Sequence, residues 1–186
     1  GLILASTINT TVLLLTILLL ILNLAYTFIL KYILLADVLT IASLFVLRAL
    51  AGAAAIQVKP SPWLFLVPFF LALFLAVGKR HADCLLLKNN AHKTRKVLKD
   101  YTTSLTQPIM IISTTSLILS YSLYSFSSEH NLLLTLPIAL YVIFKYYTLI
   151  IQGSSIARHP EKVIKDKHLM IGILIWIITT ILIIYL

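Results

Sequence analysis

Apolar residues fill this chain in six blocks, at roughly 2 to 22, 38 to 58, 62 to 78, 106 to 126, 132 to 151 and 168 to 186. Most approach the ~20 residues that carry a helix across ~30 Å of hydrocarbon. The blocks are continuous rather than alternating, and only helices and closed barrels satisfy their own backbone in lipid, so six transmembrane helices are predicted. The fold class is therefore all-α, a polytopic helical bundle. The third block is slightly short, and Pro68 is placed to kink it.

Composition agrees with that solvent. Of 186 residues, 60% are hydrophobic and only 11% charged, where a soluble domain carries about a quarter charged. The single Cys84 excludes an internal disulfide and reads as a small apolar filler. Residue 1 is Gly rather than Met, and no basic region precedes the first apolar block. The expectation is a piece of a longer protein without a cleaved leader.

Charge orders the helices. With alternating crossings, every one of the 15 Lys and Arg except Lys59 and Arg48 falls on one side: Lys31 after the first helix, seven cations between the third and fourth, and five from Lys145 to Lys167. By the positive-inside rule that side is cytoplasmic, and both ends of this chain face outward.

Topology needs only a few cations per loop, and three features exceed it. The connection 79–105 is long for a helix pair, and Val97, Leu98, Tyr101 and Leu105 recur at helical spacing between Arg95, Lys96, Lys99 and Asp100. That stretch reads as an amphipathic interfacial helix, either a lid or a basic helix resting on anionic headgroups. Next, Lys79 and Asp83 stand at i,i+4 and Arg80 and Asp83 at i,i+3, so a continued helix brings all three together. A carboxylate among cations at a membrane-proximal helix end suits a metal-bridged phosphate, although one Asp is only half of a Mg²⁺ site. Such pairs also occur as plain surface decoration.

The third feature is charge where lipid should be. Asp37 opens the second helix; Arg48, eleven residues on, returns to nearly the same face about 16 Å deeper. An ionisable group near mid-membrane faces the bundle interior or a watery cavity and has a partner. Lys145, beside Tyr146 and Tyr147, either snorkels to the interface or points into the same cavity. No phosphate loop, zinc spacing or nucleophile elbow is present, the five His are scattered, and the basic excess follows membrane loops rather than a nucleic-acid footprint. What remains is a basic, partly carboxylate-bearing cavity at the cytoplasmic face, for which phosphorylated substrates are the natural fit.

Five segments carry a resemblance: YTFILKYILLADVLTIASLFVLRALAGAAA (26 to 55), LFLAVGKRHAD (73 to 83), HKTRKVLKDY (92 to 101), ALYVIFKYYTLI (139 to 150) and HPEKVIKDKHLMIGILIW (159 to 176). Together they resemble successive motifs of the UbiA superfamily of membrane prenyltransferases, and within it are most similar to the decaprenyl-phosphate phosphoribosyltransferase branch. The resemblance runs from about residue 20 to the end. It implies a nine-helix fold of which this chain is the last six helices. The superfamily's Asn-Asp-x-x-Asp-x-x-x-Asp motif would then precede this sequence, bringing the other Mg²⁺ ligands. Superfamily members acting on aromatic acceptors usually carry two or more acids in their second motif, whereas this sequence offers Lys79, Arg80 and only Asp83. That departure favours phosphoribosyl over prenyl transfer.

The implied reaction moves 5-phosphoribosyl from phosphoribosyl diphosphate to a polyprenyl phosphate in the cell membrane, with diphosphate leaving and Mg²⁺ as cofactor. The implied roles are these: Lys79 and Arg80 hold the donor phosphates, and Asp83 orients them or reaches the metal. Tyr26, Lys31 and Asp37 line the rim, Arg48 lies at the cavity floor, and Lys145 with Tyr146 joins the lipid-phosphate side. Two alternatives stay open, an aromatic or quinone prenyltransferase of the same fold and a non-catalytic transporter or scaffold.

Overall fold

A computed structural model describes residues 2–86 and 100–186, and among them regular structure is helical throughout. Six segments are long and apolar enough to span a membrane: Thr10–Tyr32, Ala36–Ala55, Pro62–Leu85, Thr103–Ser127, Leu132–Ile151 and Lys167–Tyr185. The chain is a multi-pass membrane protein. Its α-helices are α1 (Leu2–Ile8), α2 (Thr10–Phe28), α3 (Ala36–Ala55), α4 (Pro62–Leu86), α5 (Thr103–Ser127), α6 (Leu136–Ile151), α7 (Ser155–Arg158) and α8 (Lys167–Tyr185).

The first predicted span is displaced. Helix breaks at Asn9, whose backbone is extended and whose side chain accepts from Val12 N at 2.8 Å. The Asn9 amide also donates to the Ala54 carbonyl at 2.9 Å, joining the start of α2 to the end of α3. An N-cap side chain satisfies a donor that the helix start leaves open, which apolar periodicity does not register. The spanning segment accordingly begins at Thr10 and reaches Tyr32 rather than ending near 22.

The third span is longer than its apolar run. Helix α4 passes through Pro68 without interruption and continues through Lys79–Asp83 to Leu86. Backbone groups freed by an internal proline are tolerated where neighbouring helices enclose them, and α4 packs against α3, α5, α6 and α7. The proposed amphipathic segment falls largely on residues 87–99, outside the described residues; Tyr101 is buried and Leu105 lies in the first turn of α5.

Between helices in lipid there is little hydrophobic driving force, so close packing and small residues hold the bundle together. Phe74, Met110 and Ile150 are almost wholly enclosed, and the Phe74 ring meets Tyr146 edge-on with centroids 5.7 Å apart. Gly78 allows the closest approach: a Cβ there would collide with the Ile150 side chain, so α4 and α6 meet directly below Lys79 and Arg80.

After α6 the chain turns sharply. Gly153 adopts φ 63°, its N–H donates to Ile150 O at 2.9 Å, and the Ser154 N–H donates to Leu149 O at 3.0 Å. This is a Schellman stop, in which glycine takes the left-handed conformation without a Cβ clash. Ser154 then caps α7 through Ile156 N. The result swings Arg158 back toward α4.

Candidate functional site

The charged end of α4 sits inside the bundle rather than on its surface. Arg80 is 4% exposed, Asp37 fully enclosed and Asp83 7% exposed. Arg80 Nε donates to Asp37 Oδ2 at 2.8 Å, and Arg80 Nη1 lies 4.0 Å from Asp83 Oδ2, one helical turn along. Arg158 Nε donates to Asp83 Oδ1 at 2.8 Å, which fastens α7 to α4. Two guanidinium groups and two carboxylates thus alternate in one chain, and their charges balance. Isolated buried charge is prohibitive, and pairing with hydrogen bonds is what makes burial possible.

Tyr101 closes the other side. Its O–H donates to Asp37 Oδ1 at 2.5 Å, and the same oxygen accepts from Leu35 N at 3.2 Å. Leu35 precedes α3 at φ 64° and offers no side-chain cap, so the tyrosine oxygen takes over an orphan donor at that helix start. The Cys84 thiol donates to the Tyr101 carbonyl at 3.3 Å. Burial, the hydrogen bond to Asp37 and that carboxylate's charge push the Tyr101 phenol well above its ordinary value. Beneath the network, His81 Nδ1 and Thr106 Oγ1 pair at 2.8 Å, tying α4 to α5.

The sequence-derived candidates divide. Asp37, Arg80 and Asp83 come together; Lys79 is half-buried beside them on the next position of α4. Asp37 departs from the rim expected for it, because both its oxygens are committed to Arg80 and Tyr101 in the interior. Arg48, expected at a cavity floor, is exposed among the described residues, its guanidinium 5.5 Å from the Phe45 ring centroid. By spacing it shares a face of α3 with Asp37, and among the described residues α4 covers that face at Asp37 but leaves it open at Arg48.

Lys31 stands over the Tyr32 ring at 4.9 Å, and Tyr26 is half-buried on α2. Lys145 is ion-paired to Asp166 at 3.7 Å, and that Asp also caps α8 by accepting from Leu169 N at 2.9 Å. Tyr146 is buried against Phe74. Arg158 and Tyr101 are the two network members that sequence reasoning did not place there. Gly153 was the available signal for Arg158, since a glycine stop followed by Ser-Ser announces a tight reversal.

The network does not by itself fit a divalent cation. Among the described residues no three His, Cys, Asp or Glu side chains converge, and Asp83 faces two guanidinium groups. A cavity of about 560 Å³ lies elsewhere: it is apolar, at the opposite end of the bundle, between α4, α5, α6 and α8.

Comparison with known proteins follows the same direction as the charged network. No protein-family model matches the chain. It is similar to a protein of Mycolicibacterium smegmatis named decaprenyl-phosphate phosphoribosyltransferase, 35% identical over 83% of this chain and 52% of that protein. Proteins of the same name from Corynebacterium glutamicum and Mycobacterium tuberculosis are 31% and 29% identical over 88% and 84% of the chain. The chain spans about half the length of the curated relatives it matches. The sequence is thus homologous, through most of its own length, to the decaprenyl-phosphate phosphoribosyltransferases.

Proposed function

We propose that the full-length protein transfers 5-phosphoribosyl from phosphoribosyl diphosphate to a polyprenyl phosphate of the decaprenyl type, and that this chain supplies the cationic end of the site as its C-terminal six helices. The likeness to the named relatives is the single observation that carries this reading. The buried Asp37–Arg80–Asp83–Arg158 network supports it, because fixed guanidinium groups beside a half-buried Lys79 suit substrates that are both anions.

A lipid phosphate oxygen attacks the anomeric carbon of the ribose, forming a C–O bond as the bond from that carbon to diphosphate breaks. The electron pair of the broken bond leaves with diphosphate. The nucleophile is already an anion, so no general base is required. Charge grows on the leaving group, and donors held in place before reaction stabilise it without reorganisation. Lys79 meets the donor phosphates, and Arg80 offers the N–H groups that Asp37 does not use. Asp83 holds Arg80 and Arg158 in register. Lys31, Tyr26, Lys145 and Tyr146 stand on the lipid-phosphate side. Mg²⁺ is part of the proposal, with its ligands assigned outside the described residues.

The reading also accounts for Arg48. A guanidinium exposed to hydrocarbon at mid-membrane costs at least about 2.5–3.5 kcal/mol. In the full-length protein its face of α3 meets further helices or a polar cavity. The reaction on this reading takes place on the cytoplasmic side of the cell membrane, which the cation-rich helix ends support through the positive-inside rule.

Full-length protein in detergent, given labelled phosphoribosyl diphosphate or labelled prenyl diphosphate in separate reactions, tests the proposal. The ribosyl donor with polyprenyl phosphate yields a labelled lipid. Label appearing only from prenyl diphosphate with an aromatic acceptor transfers the assignment to prenyl transfer, and label from neither leaves the chain without the proposed activity.

A further inference from the structure

The apolar cavity at the far end of the bundle has no part in the charged network. Along α4, Pro68 on its wall is twelve residues from Arg80, about 18 Å of helix. Both tryptophans of the chain, Trp63 and Trp176, line it, together with Tyr121 and Tyr124. Aromatic side chains of this kind gather where hydrocarbon meets headgroups.

Four polar side chains of the wall are bonded within the protein. Trp176 Nε1 donates to Tyr121 Oη at 2.8 Å, and that oxygen shares a 2.5 Å hydrogen bond with Thr135. Thr180 donates to Trp176 O at 2.7 Å, and Ser61 Oγ accepts from Leu64 N at 3.3 Å. Among the described residues, no Lys, Arg, His, Asp or Glu lines it. Water would find few partners, and an anionic headgroup would find no cation. An empty space of this size would forfeit the dispersion contacts of every side chain around it. At liquid water's share of about 30 Å³ per molecule, the volume corresponds to about 19 water-sized groups. That is the scale of one hydrocarbon chain.

We propose that this cavity is a phospholipid site, taking one acyl chain of a bilayer lipid whose headgroup lies at the outer interface and is not read. Bilayer phospholipid surrounds the protein at near-solvent concentration, so mass action fills a site that recognises hydrocarbon alone. The bound chain wedges α4, α5, α6 and α8 at the end opposite the charge network.

The test is made on delipidated full-length protein in detergent, titrated with dioleoyl phosphatidylethanolamine and examined by native mass spectrometry. The expected result is one retained lipid per chain, reduced at least fivefold in both Ala139→Phe and Thr180→Phe, which fill the space from α6 and from α8. Thr180 is only half-buried, so its variant carries the test if Ala139→Phe does not fold. Absence of retained lipid in the wild type overturns the proposal, as does equal retention in the variants. Displacement of the phospholipid by polyprenyl phosphate overturns it too, by assigning the cavity to the substrate tail. The readout is lipid retention, so a failed transferase assay leaves it unaffected.

Discussion

Arg80 and Asp37 are 43 residues apart in sequence, yet Nε and Oδ2 meet at 2.8 Å with both side chains shielded from solvent. The bond fixes the rotation of α3 against α4, and everything else in the charged network hangs from it. Removing one partner of a buried pair strands the other, at a cost of about 3–5 kcal/mol. Asp37→Ala is therefore expected to lower the melting temperature in detergent sharply. The double variant Asp37→Leu/Arg80→Met recovers most of that loss while transfer activity of the full-length enzyme stays absent. A double variant as unstable as the single one would remove the ion pair from its place as the organising contact.

Arg158 tests the outer half of the network. Its side chain is 30% exposed, so solvent screens the pair with Asp83 and its contribution to stability is modest, about 0–1 kcal/mol. Arg158→Lys keeps the charge and loses the fixed Nε–H. The expected outcome is a melting temperature within a few degrees of wild type and a kcat/KM about tenfold lower in the full-length enzyme, equivalent to about 1.4 kcal/mol. Unchanged turnover would show that Arg158 merely anchors α7.

Tyr101 gives a pH dependence with a definite sign. Its phenol titrates higher in the folded protein than in the unfolded chain. The unfolded state therefore releases this proton first as pH rises, so the contribution is complete below about pH 10 and is lost above it. Tyr101→Phe is expected to lower stability by about 1–3 kcal/mol at neutral pH, since Leu35 N and Asp37 each lose a partner. Its melting temperature also falls less steeply between pH 9 and 11 than that of the wild type. Parallel curves would contradict the buried position of the hydroxyl.

Gly153 is expected to be replaceable only by residues that tolerate positive φ. Gly153→Ala costs about 1–2 kcal/mol from the left-handed backbone, and Gly153→Asn costs less. Thermal melts of the two variants should rank in that order. Because the turn carries Arg158 toward Asp83, kcat/KM of the full-length enzyme should follow the same rank.

How much of this was legible beforehand differs from feature to feature. Arg80 and Asp83 are three apart, and a helix brings such neighbours together wherever it continues. Asp37 was recognisable as a charge at a helix start, but its partners were not, because nothing local distinguishes a rim carboxylate from one turned inward. Arg48 illustrates the same gap: a periodicity of 100° per residue places it near the face of Asp37 and leaves undecided what that face meets.

The sequence by itself determined the solvent and the number of crossings, because the transfer of about twenty apolar residues into hydrocarbon is a local sum that any window of chain already contains. It also determined which ends carry the cations. Tertiary structure alone decided which of those charges are paired. Arg80 with Asp37, Tyr101 with Asp37 and Arg158 with Asp83 join positions 43, 64 and 75 residues apart, and each bond depends on how two helices are rotated and stacked. How the helices stack is also a matter of close packing, as where the Ile150 side chain of α6 fills the space left by Gly78 on α4, an interaction between surfaces that no single stretch of sequence holds.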